Sequence, residues 1–90
     1  MLRIGVIGDY DGRRSHVATN EALAHAAAAL GCELDVRWLP TESLLAPDAR
    51  EALAACDGLW ASPGSPYRSE AGALAGIHYA RERDVPLVAT

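Results

Sequence analysis

Lysine is absent from the 90 residues, and all 8 basic side chains are arginine. That absence removes P-loop phosphate binding, Schiff-base chemistry and the response-regulator receiver, each of which needs a lysine amine. Cysteine is scarce: Cys32 and Cys56 are the only 2, they form no C-x-x-C pair, and they fit no zinc spacing. No metal or other cofactor is therefore expected. Long apolar runs are missing as well. The longest, Ala26 to Leu30, is too short to span a bilayer or to form a signal core, so the expectation is a soluble cytoplasmic chain with no membrane partner. Positive charge is in deficit, with a formal net charge of -4, which argues against nucleic acid and anionic membrane as partners. There is no linker, no internal repeat and no low-complexity segment beyond the alanines.

What is present is half apolar, at 50%. A chain of this length makes one small domain, residues 1–90, that buries roughly 60 to 65% of the surface its unfolded form exposes. The stretch around which the rest is organised is Asp57 to Ser69. Leu59 to Ala61 is a short apolar run bounded by turn signals, as expected of a parallel strand buried on both faces. Pro63 ends it. Gly64 lacks a Cβ, so a ligand atom can approach its backbone N–H, and Ser69 is placed to cap a following helix.

Around this stretch the pattern alternates strand and helix. Leu2 to Gly8 reads as a central parallel strand, Asp9 to His16 as a polar loop, and Thr19 to Leu30 as a helix with Leu23, Ala27 and Leu30 on one face, stopped by Gly31. Glu33 to Leu39 alternates like a half-covered strand, and Pro40 ends it. Thr41 to Leu45 is a polar link with a helical turn, followed by a short helix over Asp48 to Ala55 with Asp48 as N-cap. Ser69 to Arg83 places Ala73, Leu74, Ile77 and Ala80 on one helical face, and Val85 to Ala89 is a fourth strand. The sum is an α/β, flavodoxin-like three-layer fold with a parallel sheet in the order 2-1-3-4 and right-handed crossovers. In that order the switch point lies between strands 1 and 3, which brings Asp9 and Tyr10 beside Pro63, Gly64 and Ser65. The two cysteines start strands that flank a third, roughly 9 to 10 Å apart, too far for a disulfide.

The chemistry-bearing residues leave alternatives open. Asp9 and Asp11 form either an acidic pair for a cation or for proton transfer, or, more commonly in loops, caps for local backbone N–H groups. Arg13, Arg14 and Arg68 either gather round an anion or stay solvated. His16, His25 and His78 are widely spaced and share no carboxylate or cysteine at ligand distance; His25 and His78 sit on helix flanks and are expected at the surface. No nucleophile, base and orienting acid assemble from these residues, and a stand-alone small-ligand binding module is the alternative to an enzyme fragment.

The pieces RIGVIGDY, ALAHAAAALG, VRWLPTESL, DGLWASPGS and IHYARERDVPLVAT, in this order and spacing, resemble the glutamine amidotransferase domain of CTP synthases along almost the whole chain. Asp-Gly-x-x-x-x-Pro-Gly and Tyr-Ala-Arg-Glu are the most specific of them. The resemblance implies the N-terminal part of a class I amidotransferase, in which a cysteine nucleophile with a later histidine and glutamate hydrolyses glutamine and passes ammonia to a synthetase partner. By resemblance Gly64 supplies an oxyanion-hole N–H and Ser65 lines the glutamine pocket, with Pro63, Tyr67 and Asp9 the further substrate-binding candidates. The chain departs from that family at Ser65-Pro66-Tyr67, where a second glycine and a phenylalanine are usual, and at Asp9, where lysine is usual. It ends at Thr90, just before the family's nucleophile elbow, which implies half a site. Either a UGA codon meant as selenocysteine or a frameshift or truncation accounts for that ending. The uncovered edge of the fourth strand predicts self-association of the isolated chain.

Overall fold

The computed structural model describes residues 1–62 and 67–89. Strands β1 (Leu2–Ile7), β2 (Leu34–Leu39), β3 (Gly58–Ala61) and β4 (Leu87–Ala89) form one sheet in the order β2-β1-β3-β4. Every pairing is parallel, with Ile7 opposite Leu39 on one side and Ala61 on the other. This is the expected winding. Helix α1 (Arg14–Leu30) crosses from β1 to β2, a 3-10 helix (Thr41–Leu45) and α2 (Ala49–Ala54) lead to β3, and α3 (Glu70–Glu82) leads to β4.

Because side chains alternate across a strand, β1 sends Ile7 to one face and Val6 to the other, and both are fully buried. On the first face Ile7, Leu39 and Leu59 join Leu44, Leu53, Ala73 and Ala80 in the main core under α2, α3 and the 3-10 helix. The second face carries α1, anchored by Leu23. Beside that anchor Ile4, Trp60, Pro86 and Val88 line an apolar cleft of about 230 Å³. Coverage is thus thicker on the first face. No described helix is long and apolar enough to cross a membrane.

Several boundaries differ from expectation, each for a local reason. Helix α1 begins at Arg14, not Thr19, because the Arg13 carbonyl already accepts the His16 and Val17 N–H groups at 3.0 and 3.1 Å. Gly31, at φ 66°, ends it as expected. A 17-residue helix spans about 25 Å, against about 20 Å for a six-residue strand. Leu30, in its last turn, is 79% exposed. Asp48 makes no side-chain cap bond; its carbonyl instead accepts the Glu51 N–H.

Helix α3 turns small residues inward, burying Gly72, Ala73, Gly76 and Ala80 while Leu74 is pushed to an exposed flank. The approach is close enough that a Cβ on Gly72 would overlap the Thr41 carbonyl. Strand β4 starts only at Leu87, since Val85 donates to the Ala80 carbonyl and so belongs to the end of α3. Both cysteines are free and half-buried.

Candidate functional site

β1 and β3 leave the sheet side by side, and a chain that winds outward from such a point opens a crevice between the two exits. The wall on the β3 side is firm. Ser62, 1% exposed, donates its N–H and its hydroxyl to the Ile7 carbonyl at 3.1 and 3.2 Å. Tyr67 donates its hydroxyl to the Ser62 carbonyl at 2.6 Å. Burial, and after it the charge of Asp9, push the Tyr67 phenol above its ordinary value, so it stays a donor at neutral pH.

The wall on the β1 side is built on Asp9. Its Oδ1 accepts the Thr41 N–H at 2.9 Å, and its Oδ2 accepts the Arg68 N–H at 2.8 Å. The Thr41 hydroxyl donates to both oxygens, at 3.1 and 2.9 Å, and accepts the Ser69 N–H at 2.8 Å. Thr41 is fully buried. Burial alone would raise the Asp9 carboxyl, but the Arg68 and Thr41 donors and the Arg68 charge together outweigh it, and the group lies below its ordinary value of 3.8. Ser69 caps α3 as expected, its hydroxyl accepting the Gly72 N–H at 3.0 Å.

Of the sequence candidates, Asp9 and Tyr67 flank the crevice, whereas Pro63, Gly64 and Ser65 lie outside the described residues. Asp9 and Asp11 do not act as a pair. Asp9 faces the Thr41 and Arg68 backbone, while Asp11 is clamped on its own loop by Arg13, with an Nη2 to Oδ2 distance of 2.7 Å. This contact takes Arg13 into an ion pair and holds the Asp11 carboxyl far below the usual range, chiefly through the Arg13 side-chain hydrogen bonds. Among the described residues no group of His, Cys, Asp and Glu has the makings of a metal site.

His25 and His78 are exposed as expected, whereas His16, read as part of a polar loop, is buried in the first turn of α1. It is 2% exposed, stacks on Tyr10 with ring centroids 5.6 Å apart, and packs on Trp38 at 4.8 Å. Its Nδ1 accepts the Asp11 N–H at 3.3 Å, and Trp38 donates its indole N–H to Asn20. Reading His16 as part of a loop hid this, because the burial follows only once α1 starts at Arg14. Thr41 was missed for a simpler reason. It follows Pro40 at the end of β2, beside the exit of β1, but a threonine in a polar link carries no signal of its own.

A parallel α/β sheet in which β1 and β3 end side by side at the carboxyl edge, with α3 following β3, defines the class of fold. No family model matches the sequence. Over 97% of its length the chain is 37% identical to a CTP synthase of Methanopyrus kandleri, and over 94% it is 39% identical to a CTP synthase of Acidobacterium capsulatum. It spans 17% and 16% of those two proteins, about one sixth of their length. Its fold matches the glutaminase domain of Trypanosoma brucei CTPS with bound acivicin at a TM-score of 0.87 and 29% identity, over 99% of this chain and 36% of that one. By sequence and fold together, the chain is homologous to part of the glutamine amidotransferase domain of CTP synthases.

Proposed function

We propose that these ninety residues contribute the glutamine-binding, oxyanion-stabilising half of a glutamine-hydrolysing site. The observation that carries the reading is the superposition of 99% of this chain on 36% of a glutaminase-domain chain with bound acivicin, a glutamine analogue. In this reading residues 1–90 are the first part of one amidotransferase domain. A cysteine or selenocysteine, with a histidine and a glutamate, comes from outside them.

The nucleophile attacks the side-chain amide carbon of glutamine, and the carbonyl oxygen takes up negative charge. In this reading the Gly64 N–H donates to that oxyanion, a role that contributes about 3 kcal/mol on the scale of a single preorganised donor. Ammonia leaves to an acceptor held by a synthetase partner, and water releases glutamate. Pro63 and Ser65 line the pocket, with Tyr67 and Asp9 at its margin.

The test is an assay of glutamate release from glutamine by a protein that carries this chain together with the nucleophile, repeated after incubation with acivicin. Hydrolysis that acivicin abolishes is the expected result. Tight binding of a small ligand by the ninety residues alone, with no glutamate from the larger protein, would overturn the reading in favour of a non-catalytic binding module.

A further inference from the structure

The described residues on either side of 63–66 are tied to the end of β1, directly or through Thr41. On the entry side Ser62 hangs from the Ile7 carbonyl. On the exit side the Arg68 and Ser69 N–H groups are received by Asp9 and by Thr41. The second tie is chemically demanding. The Thr41 hydroxyl has one proton; since its oxygen must accept from Ser69, that proton is directed to Asp9. A carboxylate at position 9 and a hydroxyl at position 41 are both needed for the arrangement.

We propose that Asp9 and Thr41 are positioning residues for glutamine hydrolysis, holding the Arg68 and Ser69 backbone that follows residues 63–66, without touching substrate. The inference rests on the glutaminase reading of the chain. It assigns Asp9 a role exerted through backbone rather than through a substrate contact. Its carboxylate already receives the Thr41 N–H, the Thr41 hydroxyl and the Arg68 N–H, a set that only an acceptor on both oxygens can satisfy. An asparagine keeps the shape but turns an amide N–H toward a donor on one side.

The experiment compares Asp9→Asn, Thr41→Val and Thr41→Ser in the protein that carries this chain with its nucleophile. It reads kcat and KM for glutamine together with amide hydrogen exchange at Arg68 and Ser69. Misplacing a catalytic donor by a fraction of an ångström to an ångström costs about 10- to 100-fold in rate, so that loss in kcat with KM little changed is expected for Asp9→Asn and Thr41→Val. Exchange at Arg68 and Ser69 should quicken in the same two variants. Thr41→Ser, which keeps the hydroxyl, should recover most of the turnover and the slow exchange. Should Thr41→Val fail to fold, the near-isosteric Asp9→Asn decides the matter alone.

Unchanged exchange at both amides, or faster exchange with kcat intact, would overturn the proposal. Failure of the glutaminase reading shows itself differently, as absence of hydrolysis by the unaltered protein. Exchange then judges the anchor by itself, faster in Asp9→Asn if the tie holds and unchanged if it does not.

Discussion

Asp9 and Asp11 leave the end of β1 two residues apart, yet Asp9 bonds across 32 residues to Thr41 and 59 to Arg68, whereas Asp11 bonds across 2 to Arg13. The more strongly lowered carboxyl is that of Asp11, because a guanidinium grips it directly. Yet Asp11 and Arg13 are both near half exposed, at 46% and 44%, where water screens the pair and an exposed ion pair adds little to stability. Asp9 joins the ends of β1 and β2 to the start of α3, contacts that close long loops and, at the buried Thr41, satisfy a backbone N–H taken from water. The size of a carboxylate's shift is therefore a poor guide to its structural weight. What a carboxylate holds together is the better one.

The contrast can be broken most sharply at Thr41, through its neighbour in α3. Gly72→Ala would drive a methyl into the Thr41 carbonyl, a backbone atom that cannot swing away, and should cost about 3 kcal/mol by separating α3 from the 3-10 helix. A urea unfolding midpoint matching that of the unaltered chain would mean that this contact is looser than described.

Asp9→Ala comes next. Removing an ionised acceptor from two backbone N–H groups and a hydroxyl should lower unfolding free energy by about 2 kcal/mol, read in the same urea titration. Asp11→Ala should leave the midpoint where it was. Equal effects of the two substitutions would erase the distinction.

Acid sharpens the same comparison with a smaller effect. The folded-state value of Asp9 lies below its ordinary 3.8, so its contribution is fully present above that pH and is lost as pH falls through the folded value. Thermal melts should show the unaltered chain losing stability below about pH 4, with a shallower loss in Asp9→Asn, whose side chain has no proton to take up. Parallel acid limbs for the two proteins would show that other carboxylates carry the whole dependence.

Much of this architecture is legible in the sequence because its signals are local and agree with one another. The alternation of apolar strands with helical segments, the Gly31 stop, the Ser69 cap and the switch point that places Asp9 near the β3 exit all follow from period and turn chemistry. Less legible are features decided by tertiary contact. Arg14 to His16 read as loop because their polarity gives no apolar stripe, yet His16 is the residue that turns inward onto Tyr10 and Trp38. Leu30 and Leu74 fit the apolar stripes of their helices, but both are exposed, Leu30 in the last turn of α1 and Leu74 beside the small-residue face that α3 turns inward. The Asp9 to Thr41 tie pairs residues 32 apart with no motif between them. Only the register of β1 with β2 reveals it.

The most direct measurement is the glutamine turnover of a Gly64→Val variant of the protein that carries this chain with its nucleophile, alongside a thermal melt to check that the fold persists. The account predicts a melt close to that of the unaltered protein and a fall in kcat of about 100- to 1,000-fold, the scale for loss of one oxyanion donor. Undiminished turnover in a folded Gly64→Val protein would remove the turn from the chemistry and contradict the account.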